Sequence, residues 1–151
     1  MIKIICVGNI KEKYFTEAIK EYLKRISKFH QLDIIEVEDV GNNDKITILR
    51  KEKEKILKYV NKKDYIITLE IDGNEESSID FANRLNNIFI GNSNITFIIG
   101  GSYGLDAEIK KLSNYKLSFS KMTFPHQLFR VILLEQIYRA FKINNNEEYH
   151  K

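Results

Sequence analysis

This chain of 151 residues has no tryptophan, one proline and one cysteine, and no apolar run approaches membrane length. Each scarcity removes a class of protein. A lone cysteine, Cys6, cannot form a disulfide within the chain, and its place inside the apolar run IKIICV makes it a small core residue rather than a nucleophile or ligand. The three histidines, His30, His126 and His150, have no metal-ligand spacing and no accompanying cluster of cysteines or carboxylates, so no metal is expected. The opening MIKIICVGNI has neither the basic flank nor the cleavage region of a signal peptide. A cytoplasmic protein without a membrane segment is expected. Charge of one sign is also scarce. Lys and Arg number 24 against 21 Asp and Glu, a formal charge of +3, well short of the bias of a free-standing nucleic-acid binder. Charged runs such as Arg50-Lys51-Glu52-Lys53-Glu54-Lys55 alternate in sign and read as solvated helix faces.

What is present is an alternation of two periodicities. Ile2 to Val7 reads as a buried strand, and Tyr14 to Phe29 repeats apolar residues at helical spacing. Leu32 to Val37 gives a second strand, and the polar stretch Glu38 to Asp44 is the expected mobile loop, before helical spacing resumes from Lys45 to Val60. Tyr65 to Glu70 forms a third strand ending at Asp72-Gly73. Ser77 and Asp80 then make a capping box for a helix to about Phe89, stopped by Gly91-Asn92. A fourth strand (Asn94 to Ile99), a short helix (Asp106 to Leu112) and a fifth strand (Lys116 to Ser120) precede the last helix, for which Thr123 is the expected cap with Pro125 in the first turn. No repeat or linker interrupts the series, so residues 1–151 form one α/β domain with a largely parallel sheet. In such a sheet ligands bind at the carboxyl ends of strands. Three of those ends carry unusual residues: Leu69-Glu70, Gly100-Gly101-Ser102-Tyr103-Gly104, and Ser120 to Pro125.

The glycines let backbone approach a ligand closely, but they fit no common nucleotide motif. No Lys-Ser/Thr pair follows, as a Walker loop requires. The spacing is not that of the dinucleotide fingerprint, and Ser118, Phe119 and Ser120 stand where an acidic ribose partner belongs. Alone, the turn is also compatible with a ligand-free strand-to-helix connection. The last helix is apolar nearly all round, from Leu128 to Ile143, and one small domain has few elements to cover it, so a homodimer through this helix is expected. Glu135 and Arg139 have the i, i+4 spacing of an ion pair, with a substrate-facing arginine as the other reading.

Together, IIGGSYGL (Ile98 to Leu105), SFSKMTFPHQLFRVILLEQIYRAFKI (Ser118 to Ile143) and the terminal Tyr149-His150-Lys151 resemble the RlmH family of the SPOUT methyltransferase superfamily. The likeness runs over the whole chain, including KIICVGNIKEKY and IITLEIDG. The resemblance implies a SPOUT-type α/β/α sandwich with a C-terminal trefoil knot and S-adenosylmethionine as cofactor. The implied reaction is methylation of N3 of a pseudouridine in the helix 69 loop of 23S ribosomal RNA, by a homodimer acting on the assembled 70S ribosome. It places cofactor contacts at Leu69, Gly100, Phe119, Ser120, Lys121, Met122, Thr123 and Phe124. The acceptor is an imide nitrogen that carries its proton near neutral pH, so a base or a stabilising cation is needed. His126, Arg139, Tyr149 and His150 are the candidates, His150 and Tyr149 through a tail that the family directs toward the active site. His126 is equally readable as a first-turn histidine bonded to local backbone. Two departures are small: Ser102-Tyr103 fills the variable middle of the glycine turn, and Glu148 stands where many members have proline or alanine.

Overall fold

The computed structural model describes residues 1–151 and resolves the alternation into five strands and five helices. They are β1 (Ile2–Val7), α1 (Lys13–Ile26), β2 (Leu32–Val37), α2 (Lys45–Leu57), β3 (Tyr65–Glu75), α3 (Ser78–Gly91), β4 (Ile95–Ile99), α4 (Ala107–Leu112), β5 (Tyr115–Ser118) and α5 (His126–Asn144). The sheet order is β2-β1-β4-β3-β5 and every pair is parallel.

Side chains alternate across a strand, so each central strand feeds two cores. From β1, Ile2, Ile4 and Cys6 point to the larger core with Phe97, Ile99 and Leu117, where α1, α3 and α5 pack. Ile5 and Val7 point the other way, joining Ile56 of α2 and Ile109 of α4. The layers are therefore α/β/α. Cys6 is fully buried, and burial pushes its thiol up to about 11, in keeping with an inert core residue. The helix starts follow local chemistry. Asp44 accepts from Thr47 N at 3.3 Å, Ser77 from Asp80 N at 3.1 Å, and Asp106 from Glu108 N at 2.9 Å.

Three expectations need correction. Thr123 does not cap α5: the helix starts at His126, after Pro125, and no side chain caps it. Proline fixes an extended turn into the helix without a cap. β3 does not stop at Glu70 but continues to Glu75, because it pairs twice with β5, with a register shift between Leu69 and Asn74. Glu70 to Gly73 are thereby pushed out as a bulge. Third, Glu52 is not on a solvated face; it is 3% exposed. It sits in the stripe Ile48, Glu52, Ile56, the inward side of α2.

α5 lies between α1 and α3, and Leu133, Leu134 and Ile137 have no exposure. Much of its all-round apolarity is thus covered within one chain. Leu128, exposed, and half-buried Val131 and Ile132 remain on its outer side near the start, whereas Glu135, Arg139 and Lys142 occupy that side further along.

Candidate active site

The carboxyl ends of β3, β4 and β5 converge on a cavity of about 480 Å³, within the range of small-molecule sites. Its first wall is the glycine turn after β4. Gly104 N–H donates to Gly101 O at 3.0 Å, the two glycines form an isolated antiparallel bridge, and Gly104 adopts φ +78°. The turn is so tight that a Cβ on Gly100 would lie 2.3 Å from Gly104 O. Beneath it stands Glu52, whose carboxylate oxygens would be 3.0 and 3.2 Å from a Cβ on Gly101. Glu52 Oε2 accepts from Val40 N at 3.3 Å, tying down the polar loop after β2, and Oε1 has no partner. Burial raises the Glu52 pKa, opposed by the Val40 hydrogen bond.

The second wall is the segment after β5. Ser118 Oγ donates to Ser120 O at 3.1 Å, and Ser120 Oγ accepts from Met122 N at 3.0 Å. Phe129 of α5 anchors it, meeting Phe119 edge-on at 5.1 Å and stacking with Phe124 at 6.2 Å. The third wall is Leu69 with the bulge of β3, where Glu70 accepts from Thr68 Oγ1 at 2.7 Å and pairs with Lys110 at 3.6 Å.

Seven of the eight residues carried over as cofactor contacts line this cavity: Leu69, Gly100, Phe119, Ser120, Met122, Thr123 and Phe124. Lys121 does not line it, and its side chain is exposed. His126 lines the cavity from the first turn of α5. Although the residue reaches solvent, desolvation of its ring, and then the neighbouring Arg130 charge, lower its pKa, so it is neutral near pH 7.

Arg139, Tyr149 and His150 form a separate cluster. Arg139 Nη2 pairs with Glu135 at 2.6 Å, Tyr149 Oη donates to Glu135 Oε1 at 3.1 Å, and Arg139 Nη1 meets His150 Nδ1 at 3.2 Å. The Tyr149 ring lies under the Arg139 guanidinium at 4.7 Å and against Tyr138 at 4.9 Å. Burial and Glu135 push the Tyr149 hydroxyl up to about 12. The tail is thus folded back onto α5. Between His126 and Arg139 the helix advances roughly 20 Å at ~1.5 Å per residue, so within one chain this cluster stands apart from the cavity.

Arg130, 2% exposed, went unassigned by sequence reasoning. It donates to Val7 O at 2.9 Å, Gly8 O at 2.6 Å and Glu36 Oε2 at 2.9 Å, joining α5 to the ends of β1 and β2. The available signal was a single charge amid an apolar helix, which marks a paired group without naming its partner. For Glu52 the signal was sharper: a carboxylate in register with Ile48 and Ile56.

Residues 1–150 match the family model described as "Predicted SPOUT methyltransferase". A protein of Methanococcus maripaludis is 57% identical, with 99% of each chain covered. The ribosomal RNA large subunit methyltransferase H of Clostridium tetani is 52% identical, also over 99% of each chain. Among solved structures, the tRNA (m1G37) methyltransferase of Aquifex aeolicus superposes with a TM-score of 0.55 at 11% identity, covering 91% of this chain and 69% of that one, a likeness of fold alone. The family match, the full-length relatives and the cavity on the three strand ends agree: the chain belongs to the SPOUT methyltransferases and, among them, to the RlmH family.

Proposed function

We propose that this chain is an S-adenosylmethionine-dependent methyltransferase acting on N3 of a pseudouridine in the helix 69 loop of 23S ribosomal RNA, in the assembled 70S ribosome. The observation that carries the proposal is the convergence of seven family cofactor positions on one cavity. The residues fit the cofactor. Gly100 presents bare backbone where a side chain could not stand, and Leu69, Leu117, Phe119 and Phe124 offer apolar surface to a nucleoside. When bound, the cofactor supplies an electrophilic methyl group. The chain itself must hold the two reactants in line and manage one proton.

His126 is the candidate base on the cavity wall, in the neutral form that accepts the proton from the ring nitrogen. Arginine has only donors, so His150 Nδ1 accepts from Arg139 and its ring proton sits at Nε2, ready to donate to a pyrimidine carbonyl. Arg139 and Tyr149 hold that histidine in place. The separation of this cluster from the cavity favours a homodimer in which the outer apolar start of α5 (Leu128, Val131 and Ile132) packs against a second copy and the tail of one copy serves the cavity of the other. Threading of the segment after β5 into a trefoil knot belongs to the same reading. The modest charge of +3 gives little affinity for isolated RNA, which supports a substrate that is a structured particle in the cytoplasm.

The test is transfer of labelled methyl groups to undermethylated 70S ribosomes, separated 50S subunits and naked ribosomal RNA, with the product nucleotide mapped by mass spectrometry. Label on N3-methylpseudouridine, from 70S alone, is expected. Binding of the cofactor without label on any ribosomal substrate would move the activity to another acceptor.

A further inference from the structure

The mouth of the cavity is ringed by large apolar side chains that folding leaves in water. Ile71 on the β3 bulge is 50% exposed, Met122 on the segment after β5 is 75%, and Tyr103 on the glycine turn is 50%. Tyr103 is the most constrained of the three. The Gly101–Gly104 bridge and its 3.0 Å hydrogen bond hold Ser102 and Tyr103 at the tip of a closed turn, and Lys45 Nζ lies 5.9 Å from the ring centroid. A rigidly presented, half-exposed aromatic ring beside a lysine has no role in either core. It has the composition of a single-stranded nucleic-acid platform, in which a base stacks on the ring and the cation meets the adjoining phosphate.

We propose that Tyr103 is the stacking platform for a nucleobase of the RNA substrate next to the acceptor nucleotide, with Lys45 contacting its phosphate. The inference rests on the RNA methyltransferase reading above. Of the occupants that could cover the mouth, RNA is favoured by the cation at this ring. Lys45 stands beside Tyr103, while the carboxylates lie on the opposite lip, Glu70 engaged by Thr68 and Lys110 and Asp72 exposed, so the phosphate belongs on the Lys45 side. The inner glycine backbone faces the cofactor space, and the ring at the turn tip is left for the acceptor strand that must cross the mouth to reach it.

The experiment compares wild type, Tyr103→Ala, Tyr103→Phe and Lys45→Ala in methyl transfer to ribosomes, with cofactor affinity measured by calorimetry and dimerisation by analytical ultracentrifugation. Tyr103→Ala is expected to raise KM for the ribosomal substrate about 10-fold, the weight of one base–aromatic stack. Cofactor affinity should stay within about twofold, Tyr103→Phe should behave as wild type, and Lys45→Ala should weaken the substrate most at low salt and make the salt dependence of KM shallower. An unchanged KM overturns the proposal. So does a parallel loss of cofactor affinity, which would place the ring on the cofactor, or a loss of dimer, which would place it on a second copy. Absence of transfer by wild type would instead sink the parent reading. Stacking is then decided by fluorescence anisotropy of labelled protein titrated with undermethylated 70S ribosomes, where Tyr103→Ala must weaken binding by the same factor and Tyr103→Phe must not.

Discussion

Gly100→Ala tests whether the glycine turn is as tight as the geometry requires. A Cβ at this position falls 2.3 Å from Gly104 O and 2.5 Å from Gly104 C, below the 3.0 Å that real Cβ contacts respect. The obstacle is backbone, so no rotamer change relieves it. Gly104 must retreat by about 0.7 Å, which breaks its hydrogen bond to Gly101 O. Overpacking costs about 1–3 kcal/mol and a lost hydrogen bond about 0.5–1.5, so a loss of roughly 2–4 kcal/mol is expected. For a domain of this size that lowers Tm by about 5–15 °C. Gly101→Ala has as nearest neighbours the Glu52 carboxylate, at 3.0 and 3.2 Å, and Val7 Cγ1 at 3.1 Å, side-chain atoms that can yield, so its cost is smaller. Gly41→Ala meets nothing within 4 Å and should be neutral or stabilising by a few tenths of a kcal/mol. Thermal unfolding by calorimetry checks the order. A Gly100→Ala protein melting within about 2 °C of wild type would refute the packing argument, as would a Gly101→Ala protein less stable than it.

Arg130→Met should cost about 2–4 kcal/mol in urea unfolding, since it strands Val7 O and Gly8 O at the end of the sheet, while Glu36, 38% exposed, keeps the Ile10 N–H and gains water. A loss below about 1 kcal/mol would mean that water replaces the guanidinium there. Glu52→Gln should match or exceed wild-type stability at pH 7. A carboxyl whose folded pKa is raised favours the native state while protonated, and that support is lost as pH rises from the ordinary 4.5 through the raised value. A substantial destabilisation by Gln, measured across that range, would show that the buried charge is needed. His126 has a lowered pKa, so stability should fall as pH drops from 6.5 through the lowered value; ring-proton NMR gives the titration directly, and a midpoint above 6.5 would contradict it. Tyr149 should titrate spectrophotometrically at about 12, its docking strong below the ordinary 10 and weakening above it. Removing residues 149–151 should abolish that transition and methyl transfer while leaving cofactor binding nearly intact; equal loss of cofactor binding would contradict this division of labour.

The alternation of elements was legible because each core strand is a nearly continuous apolar run and each helix but the last has a clear polar side. The stretches around Leu69, Gly100 and Ser120 could therefore be assigned to one end of the sheet, although β3 ends at Glu75 and β5 at Ser118. What escaped was set by partners far along the chain. β3 runs past Asp72-Gly73 because β5 accepts it a second time beyond the bulge, a pairing that local turn chemistry does not encode. Glu52 was concealed by its charged neighbours, although its register with Ile48 and Ile56 already pointed inward. The folding back of Tyr149 and His150 onto Glu135 and Arg139 is likewise a tertiary contact, within a tail whose local sequence gives no reason for order.

Arg130 also gives the fold an order in time. The carbonyls that close β1 receive their hydrogen bonds from a guanidinium 123 and 122 residues later, and β4, the strand on one flank of β1, is itself made late. At synthesis rates of about 5–20 residues per second, some 6–25 s pass between the emergence of the first strand and of the group that completes it. During that interval the chain is an unfinished sheet with an open end. A nascent chain halted before residue 130 is left in that state, without the last helix that packs against α1 and α3 and without the guanidinium that ends the first strand.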